Sequence, residues 1–537
     1  MSYMLAMYDI RGKQEFIFRT NKLKEIAGGS MIIRDCFRDY LFPAALEIKE
    51  GSKGIFTYKD KKGNHKDNCE FTEAGFIEHI KQGYVGEVVY DGGGNFILLF
   101  ESEKMFQEVT FFFTKEVMKS IGTLKVLATA VPVDNFDDYK SDRDRLYEKH
   151  RRNESGESTI SPWVSLPISQ VDRKTSMPLT NVWSVEKEKN IKVSKESYAK
   201  LKKFKEEEDR VKRIEENCKD ENCIEELYLN NVKRFDELVS QKGVDSKLAV
   251  VYIDGNNMGA AVQEILKRER TYEQCLGRLR KFSSDIQEKY VVQGVNKVVG
   301  ALSDKKYRIV VAAGDEINFV VRAEDAMKCV QAYMQNLYSE ERHDSACAGI
   351  AVFHSHAPYS DAYSIAEECC ESAKKCMKEN GLSDVCLVDF HICQAAIGIS
   401  LDSIRELEGI DKLSRPWMLA GKTVNNSITR YQDVQKLAEL FRLLGRTNIK
   451  SLVEAARKEP VALEVELRRI KAHLKDEYLR ESGEEPFGKS PKKIDKMIIR
   501  EQLDQLITEV EKKRYMISDV ALSYDIWFSC AGKGEIG

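Results

Sequence analysis

Short, nearly continuous apolar runs alternate along the chain with longer stretches in which apolar residues recur every three or four positions. The first run, Leu5 to Tyr8, ends at Asp9-Ile10. Later, Val88 to Tyr90 and Phe96 to Phe100 flank Asp91-Gly92-Gly93-Gly94-Asn95. Two apolar runs around a glycine-rich turn predict a β-hairpin. A helix-compatible stretch near 104–120 leads to another apolar run, Leu124 to Pro132.

The same order returns in the second half. Leu248 to Ile253 reads as a buried strand and ends in Asp254-Gly255. Leu276, Leu279, Phe282 and Ile286 then fall at helical spacing. Arg308–Ala313 and Ile317–Val321, joined by Gly314-Asp315-Glu316, predict a second hairpin. Helices near 323–339 and 360–379 and strands at Cys347–Phe353 and Val385–Phe390 complete the unit. The order βααββαβ predicts an α+β fold with two ferredoxin-like palm domains, residues 1–145 and 246–395. Residues 146–245 read as a linker, punctuated by Pro162, Pro167 and Pro178, followed by a charged, exposed helical insertion over 195–240. Residues 396–537 read as a helical C-terminal domain, in which Leu437, Leu440, Phe441 and Leu444 share one face, as do Ile499, Leu503, Leu506 and Val510. Residues 481–492 read as a loop between helices.

Composition narrows the class. A chain of 537 residues exceeds what one hydrophobic core accommodates. Its net charge of -3 gives no bulk attraction to nucleic acid. No apolar stretch approaches membrane-span length, and Met1 to Arg11 lacks the pattern of a signal peptide, so a cytoplasmic protein without membrane contact is expected. The 13 cysteines, several in apolar or helical patterns (Cys347, Cys369, Cys370, Cys386), suit free thiols in a reducing compartment. Cys218 and Cys223 form a single close pair, whereas a zinc ribbon needs two, so an ordinary charged helix is expected there.

The candidate chemistry lies in the second repeat. Palm topology makes the first strand and the hairpin neighbours, so Asp254, Asp315 and Glu316 are expected to converge at one rim. Such carboxylates suit the hard cations Mg²⁺ or Mn²⁺, and a metal pair can activate an attacking hydroxyl and stabilise a pyrophosphate leaving group. Gly255 and Gly259 leave room for phosphates near a helix start. Lys374, on the helix carrying Ala366-Glu367-Glu368, can reach a triphosphate from behind the acids. Either turn alone is ordinary; both together, at palm spacing, point to phosphoryl transfer. In the first repeat Asp9 corresponds to Asp254, but Gly94 and Asn95 stand opposite Asp315 and Glu316. A lone carboxylate holds a divalent ion weakly, so the first palm is expected to carry no catalytic metal. Its glycines at 92–94 are expected to let the backbone approach a nucleotide.

These motifs resemble a known family. Ala312 to Val320 is similar to the GGDD/GGDEF hairpin of diguanylate cyclases and of the large subunit of type III CRISPR effector complexes (the Cas-ten or Cmr-two family). Ser345 to Ala351, His354, Pro358, Ala366 and Ala373-Lys374 look like the SAGIA…H…P…A…AK pattern that follows it, and Asp254 to Gly259 resembles the DGDxMG strand end. Asp9-Ile10, Gln14 to Phe18, Gly28-Gly29-Ser30 and Gly92 to Asn95 look like the first palm, so the resemblance spans roughly residues 3–395. It implies a nucleotidyltransferase that joins ATP into cyclic or linear oligoadenylate second messengers with Mg²⁺ or Mn²⁺. Other Cas subunits, crRNA and target RNA are the implied partners. Asp254, Asp315 and Glu316 are then catalytic, and Asp254, Ile253 and Asp315 hold metal. Gly255, Asn256, Gly259, Gly314 and Lys374, with Gly93, Gly94 and Asn95 of the first palm, bind nucleotide. The hairpin departs from the family as Ala313-Gly314-Asp315-Glu316, Asn256 replaces a common second aspartate, and, with the sequence opening on the first palm, the family's HD nuclease activity is not expected of this chain. An inactive scaffold subunit and a stand-alone nucleotide cyclase are the alternative readings.

Overall fold

The computed structural model describes residues 2–48, 50–58, 70–92, 95–156, 168–185, 189–217, 234–239, 246–269, 271–338, 344–393, 399–407, 413–422, 428–473 and 493–529. Its first sheet contains β1 (Tyr3–Arg11), β2 (Ile55–Phe56), β3 (Gly86–Gly92), β4 (Asn95–Phe100) and β5 (Lys125–Val133), in the order β2-β3-β4-β1-β5. A separate ribbon pairs β6 (Leu179–Val185) with β7 (Lys189–Ser194). The second sheet contains β8 (Lys247–Gly255), β9 (Arg308–Ala313), β10 (Glu316–Arg322), β11 (Ala346–His354), β12 (Val385–Ile392) and β13 (Trp417–Gly421), in the order β13-β12-β11-β8-β10-β9. The arrangement β3-β4-β1-β5 matches β9-β10-β8-β11 strand for strand, so the internal echo in the sequence is an echo in topology. The fold is α+β, with a helical region after β13.

The continuous apolar runs follow from burial on both faces. In β1, Met4, Ala6 and Tyr8 join a core shared with Leu248, Val250 and Tyr252 of β8, so the two sheets enclose common hydrophobic packing. The other face of β1, Leu5 and Met7, is covered partly by Tyr272, Leu276 and Leu279. The helix Tyr272–Ile286 follows β8 in sequence but packs on the first sheet. Its Arg280, almost wholly buried, donates to the Glu87 carboxylate at 2.9 Å and lies 4.6 Å from the centre of the Tyr58 ring.

Two expectations change. The helix Lys195–Asn217, the start of the stretch read as exposed, packs against the helix Leu23–Cys36 and buries Leu201, Phe204 and Val211. Its Lys200 is buried, with the ammonium on Glu196 at 2.6 Å and on the Phe16 carbonyl. Arg308 of β9 lies over the Phe204 ring, so this helix touches both the helix Leu23–Cys36 and the second sheet. Charge density misled the reading, because Glu196, Lys200, Lys203 and Glu207 pair on the buried face while Lys202, Glu206 and Lys212 face water. Residues Trp417–Gly421, within the stretch read as helical, form a strand antiparallel to β12. Five residues are too few to display a period against helical flanks. Cys218, Cys223 and the loop at 481–492 lie outside the described residues.

The helical C-terminal region is fastened to the second sheet. Trp527 donates its indole N–H to the Ala323 carbonyl at 2.9 Å. Arg405 donates to both carboxylate oxygens of the fully buried Asp389, at 2.9 and 3.1 Å. Among the described residues, no helix is long and apolar enough to cross a membrane.

Candidate functional site

Antiparallel pairing of β8 with β10 places Asp254 directly opposite Glu316. The hairpin turn between β9 and β10 carries Asp315, and Gly314 turns there at a φ of 63°, a left-handed value that suits glycine. The amide of Gly255 donates to the Asp315 carbonyl at 3.2 Å, which clips the turn to the end of β8. A Cβ on Gly255 would stand 2.7 Å from the Asp315 Cβ, so only glycine lets the two acidic segments close this tightly. Gly259 meets open space and lies in the first turn of the helix Met258–Arg268.

The helix Tyr359–Glu379 supplies the opposing charge. It lies against β11, where a Cβ on Gly349 would fall 1.8 Å from the Ala366 carbonyl oxygen. That close approach holds Lys374 under the rim, where its ammonium donates to Asp254 Oδ2 at 2.6 Å and to the Gly255 carbonyl at 3.0 Å. Helical spacing puts Tyr363, Glu367 and Lys374 on one face. The Tyr363 hydroxyl lies 3.4 Å from Glu316 Oε1, and Gln14 of the first palm donates to Glu367 at 2.6 Å.

This rim is short of positive charge. Burial and the neighbouring Asp254 push the Asp315 carboxyl up to about 6. Glu316 rises to about 7 for the same two reasons, in the same order. Burial pulls Lys374 down, but attraction to Asp254 outweighs it and leaves the ammonium above its ordinary value. Carboxylates held this way are stabilised by an added cation.

The acids border a cavity of about 700 Å³ between the two sheets. Asp254, Asp315, Glu316 and Tyr252 line one side; Asp9, Lys13 and Gln14 line the other. The pairing register confirms the internal correspondence: Asp9 faces Asn95 across β1 and β4, as Asp254 faces Glu316 across β8 and β10. Asp9 itself is buried, 3.1 Å from Arg11, 3.5 Å from Lys13 and 3.8 Å from His150.

The structure thus brings Asp254, Asp315, Glu316, Gly255, Gly314 and Lys374 together. Three converging ligands were expected, yet among the described residues no three His, Cys, Asp or Glu side chains are grouped to hold a metal alone. Glu316 turns toward Tyr363, which leaves Asp254 and Asp315 as the close pair. Ile253 is fully buried and apolar, so it can offer only its main-chain carbonyl. Asn256 was expected at the nucleotide, but its side chain turns inward. It donates to Ser345 Oγ and to the Val385 carbonyl, both at 3.1 Å. An aspartate there could not donate to that carbonyl, which accounts for the amide. Gly93 and Gly94 lie outside the described residues, and Asn95 is described only as the first residue of β4. Sequence reading missed Tyr252, Tyr363 and Lys13. Strand alternation two residues before Asp254 and helical spacing before Lys374 were the available signals for the two tyrosines.

Residues 247–383 match the family described as Cas10/Cmr2, second palm domain. No curated protein matches the chain. Among solved structures, the chain is similar to a Csm1–Csm4 cassette in complex with cA4, with 12% identity over 98% of this chain and 70% of that one and a TM-score of 0.45. It is similar also to Csm1 of T. onnurineus, with 13% identity over 96% and 69% and a TM-score of 0.45. A Csm1–Csm4 cassette in complex with AMPPNP matches at 12% identity over 97% and 70%, with a TM-score of 0.45. The strand order and the Gly-Asp-Glu hairpin beside Asp254 fit the matched segment, so the chain is Cas10-like, with residues 247–383 similar to the second palm domain of Cas10/Cmr2.

Proposed function

We propose that this chain is a palm nucleotidyltransferase that joins ATP molecules into cyclic or linear oligoadenylates. The observation that carries the reading is the shared cavity edged by Asp254, Asp315 and Glu316 on one side and by Lys13 and Gln14 on the other. The donor set fits Mg²⁺ or Mn²⁺: its atoms are oxygens, its two close carboxyls lack charge balance, and Mg²⁺ commonly takes one or two carboxylates and completes its shell with water and substrate phosphates. Asp254 and Asp315 would hold the ion, which when bound supplies charge neutralisation at the transferring phosphate. Glu316, half-buried beside Tyr363, positions the rim and adds negative charge. Lys374 serves the triphosphate. Across the cavity, Lys13 and Gln14 bring a cation and an amide toward the second nucleotide, so the 3′-hydroxyl of one ATP is aimed at the α-phosphorus of the other. The Asp9 edge is the nucleotide-holding side and takes no catalytic metal, since cations already occupy its carboxylate.

In this reading the chain works in the cytoplasm with other Cas subunits, crRNA and target RNA, and residues 396–537 serve assembly. Purified protein incubated with labelled ATP and Mn²⁺ tests the chemistry: oligoadenylate identified by mass supports it. ATP binding without product, in the presence of the partner subunits and target RNA, would replace it with a scaffold role.

A further inference from the structure

Lys374 was expected to serve phosphate, yet its ammonium sits on a proposed metal ligand. Its two acceptors, Asp254 Oδ2 at 2.6 Å and the Gly255 carbonyl at 3.0 Å, are both at the end of β8. We propose that Lys374 is an internal stand-in for the metal, occupying Asp254 until a divalent ion displaces it and frees it for the triphosphate. The proposal rests on the reading of Asp254 and Asp315 as the metal pair.

Three observations support it. First, Asp254 faces Asp315 and, across the strands, Glu316, so a rim with neither metal nor lysine would crowd three acids without a cation. An ammonium at hydrogen-bond distance relieves that repulsion. Second, the pair is open enough to exchange. The side chains of Lys374 and Asp254 are 23% and 30% exposed, so a departing ammonium regains water, and a partly exposed ion pair is weakly held. Third, the anchor is rigid while the arm is not. The contact between Gly349 and Ala366 fixes the helix, whereas the lysine stem has four rotatable carbons. Metal entry then moves the side chain and leaves the helix in place. A divalent ion and an ammonium cannot both sit on one carboxylate oxygen without repelling each other, so binding of one lowers affinity for the other, reciprocally. The order that follows is metal first, lysine released second, triphosphate clamped third.

The test measures Mn²⁺ binding to the full chain without nucleotide, by the loss of the free-ion electron paramagnetic resonance signal. Lys374→Met should bind Mn²⁺ about tenfold more tightly than the unaltered protein, because the competing cation is gone. Lys13→Met removes a cation from the cavity wall opposite Asp254 and should change Mn²⁺ affinity less than about twofold. In crystals soaked with Mn²⁺ alone, the Lys374 ammonium should be found off Asp254. Equal Mn²⁺ affinity in Lys374→Met, with binding lost in Asp254→Asn, would overturn the stand-in role while keeping the metal site. So would equal tightening in both lysine variants, which would reduce the effect to net charge. No Mn²⁺ binding by any of these proteins would overturn the metal reading itself. If Lys374→Met does not fold, the soaked crystal decides: an ammonium still on Asp254 beside bound Mn²⁺ refutes the proposal.

Discussion

Asp9 and Asp254 occupy equivalent places, each near the end of the central strand of its sheet and each opposite a hairpin residue. Their surroundings are opposite. Asp9 is buried and faces Arg11, Lys13 and the His150 imidazole, which burial holds below its ordinary value. Asp254 is partly open and faces Asp315 and Glu316, with the Lys374 ammonium as its salt-bridge partner. A shared topology delivers an aspartate to the same spot twice, and the neighbours decide whether it is neutralised internally or left in need of a cation. The difference separates a structural ion pair from a candidate catalytic rim.

The largest expected effect tests the acidic side. Asp315→Asn should lower pyrophosphate release at least about a hundredfold with the melting temperature maintained, since it removes a repelled charge and little packing. Unchanged release would erase the distinction between the two edges. Next in size is a stability effect on the first sheet. Arg280→Ala takes the guanidinium from the buried Glu87 carboxylate, which keeps His79 at 2.8 Å on its other oxygen, and should cost about 3 kcal/mol in urea denaturation. A loss under about 1 kcal/mol would show that the outer face of the first sheet does not depend on the second repeat.

A smaller effect concerns pH. Asp315 and Glu316 titrate at about 6 and about 7, above their ordinary values. Between the ordinary carboxylate range and these values the unfolded chain releases protons that the folded chain keeps. The contribution of these two carboxyls to the stability of the metal-free protein should therefore be largest at the acid end of that window, fall as pH rises through it and level off above about 7, while the buried His391, held down at about 4, contributes in the opposite sense. Allowing for solvent screening, the two groups together account for about 1–2 kcal/mol. Thermal melts of the protein and of Glu316→Gln from pH 4 to 8 check this: the variant should gain stability relative to the unaltered protein as pH rises through the window, and a difference that does not change with pH would contradict it. The smallest effect is on the other edge. Asp9→Asn should leave Mn²⁺ stoichiometry unchanged and lower turnover by no more than about threefold, and a loss equal to that of Asp254→Asn would make the two edges alike.

Much of the rim was legible because its signals are local. An apolar run ending in Asp254-Gly255 and a hairpin ending in Gly314-Asp315-Glu316 are patterns of a few residues, and strand alternation then sets which side chains share a face. The repeat of strand order was legible for the same reason. Asn256 was misread because its partners, Ser345 and Val385, lie far along the chain and give no local sign. The charged helix Lys195–Asn217 was misread because periodicity reports which residues share a face and leaves unsaid what covers that face.

By itself the sequence determined most strands of the two sheets, the α+β class, the doubling of the palm and the acids at its rim, since propensity, turn chemistry and periodicity act over a few residues, but it missed the short strand Trp417–Gly421. Only the tertiary structure decided that the helix Tyr272–Ile286 crosses to the first sheet, that Arg280 meets Glu87, that cations surround Asp9, and that Lys374 reaches Asp254. Those pairings join residues distant in the chain. Their geometry is set by how helices and sheets bury each other's apolar faces, and the charges carried on those faces meet as a consequence of the packing.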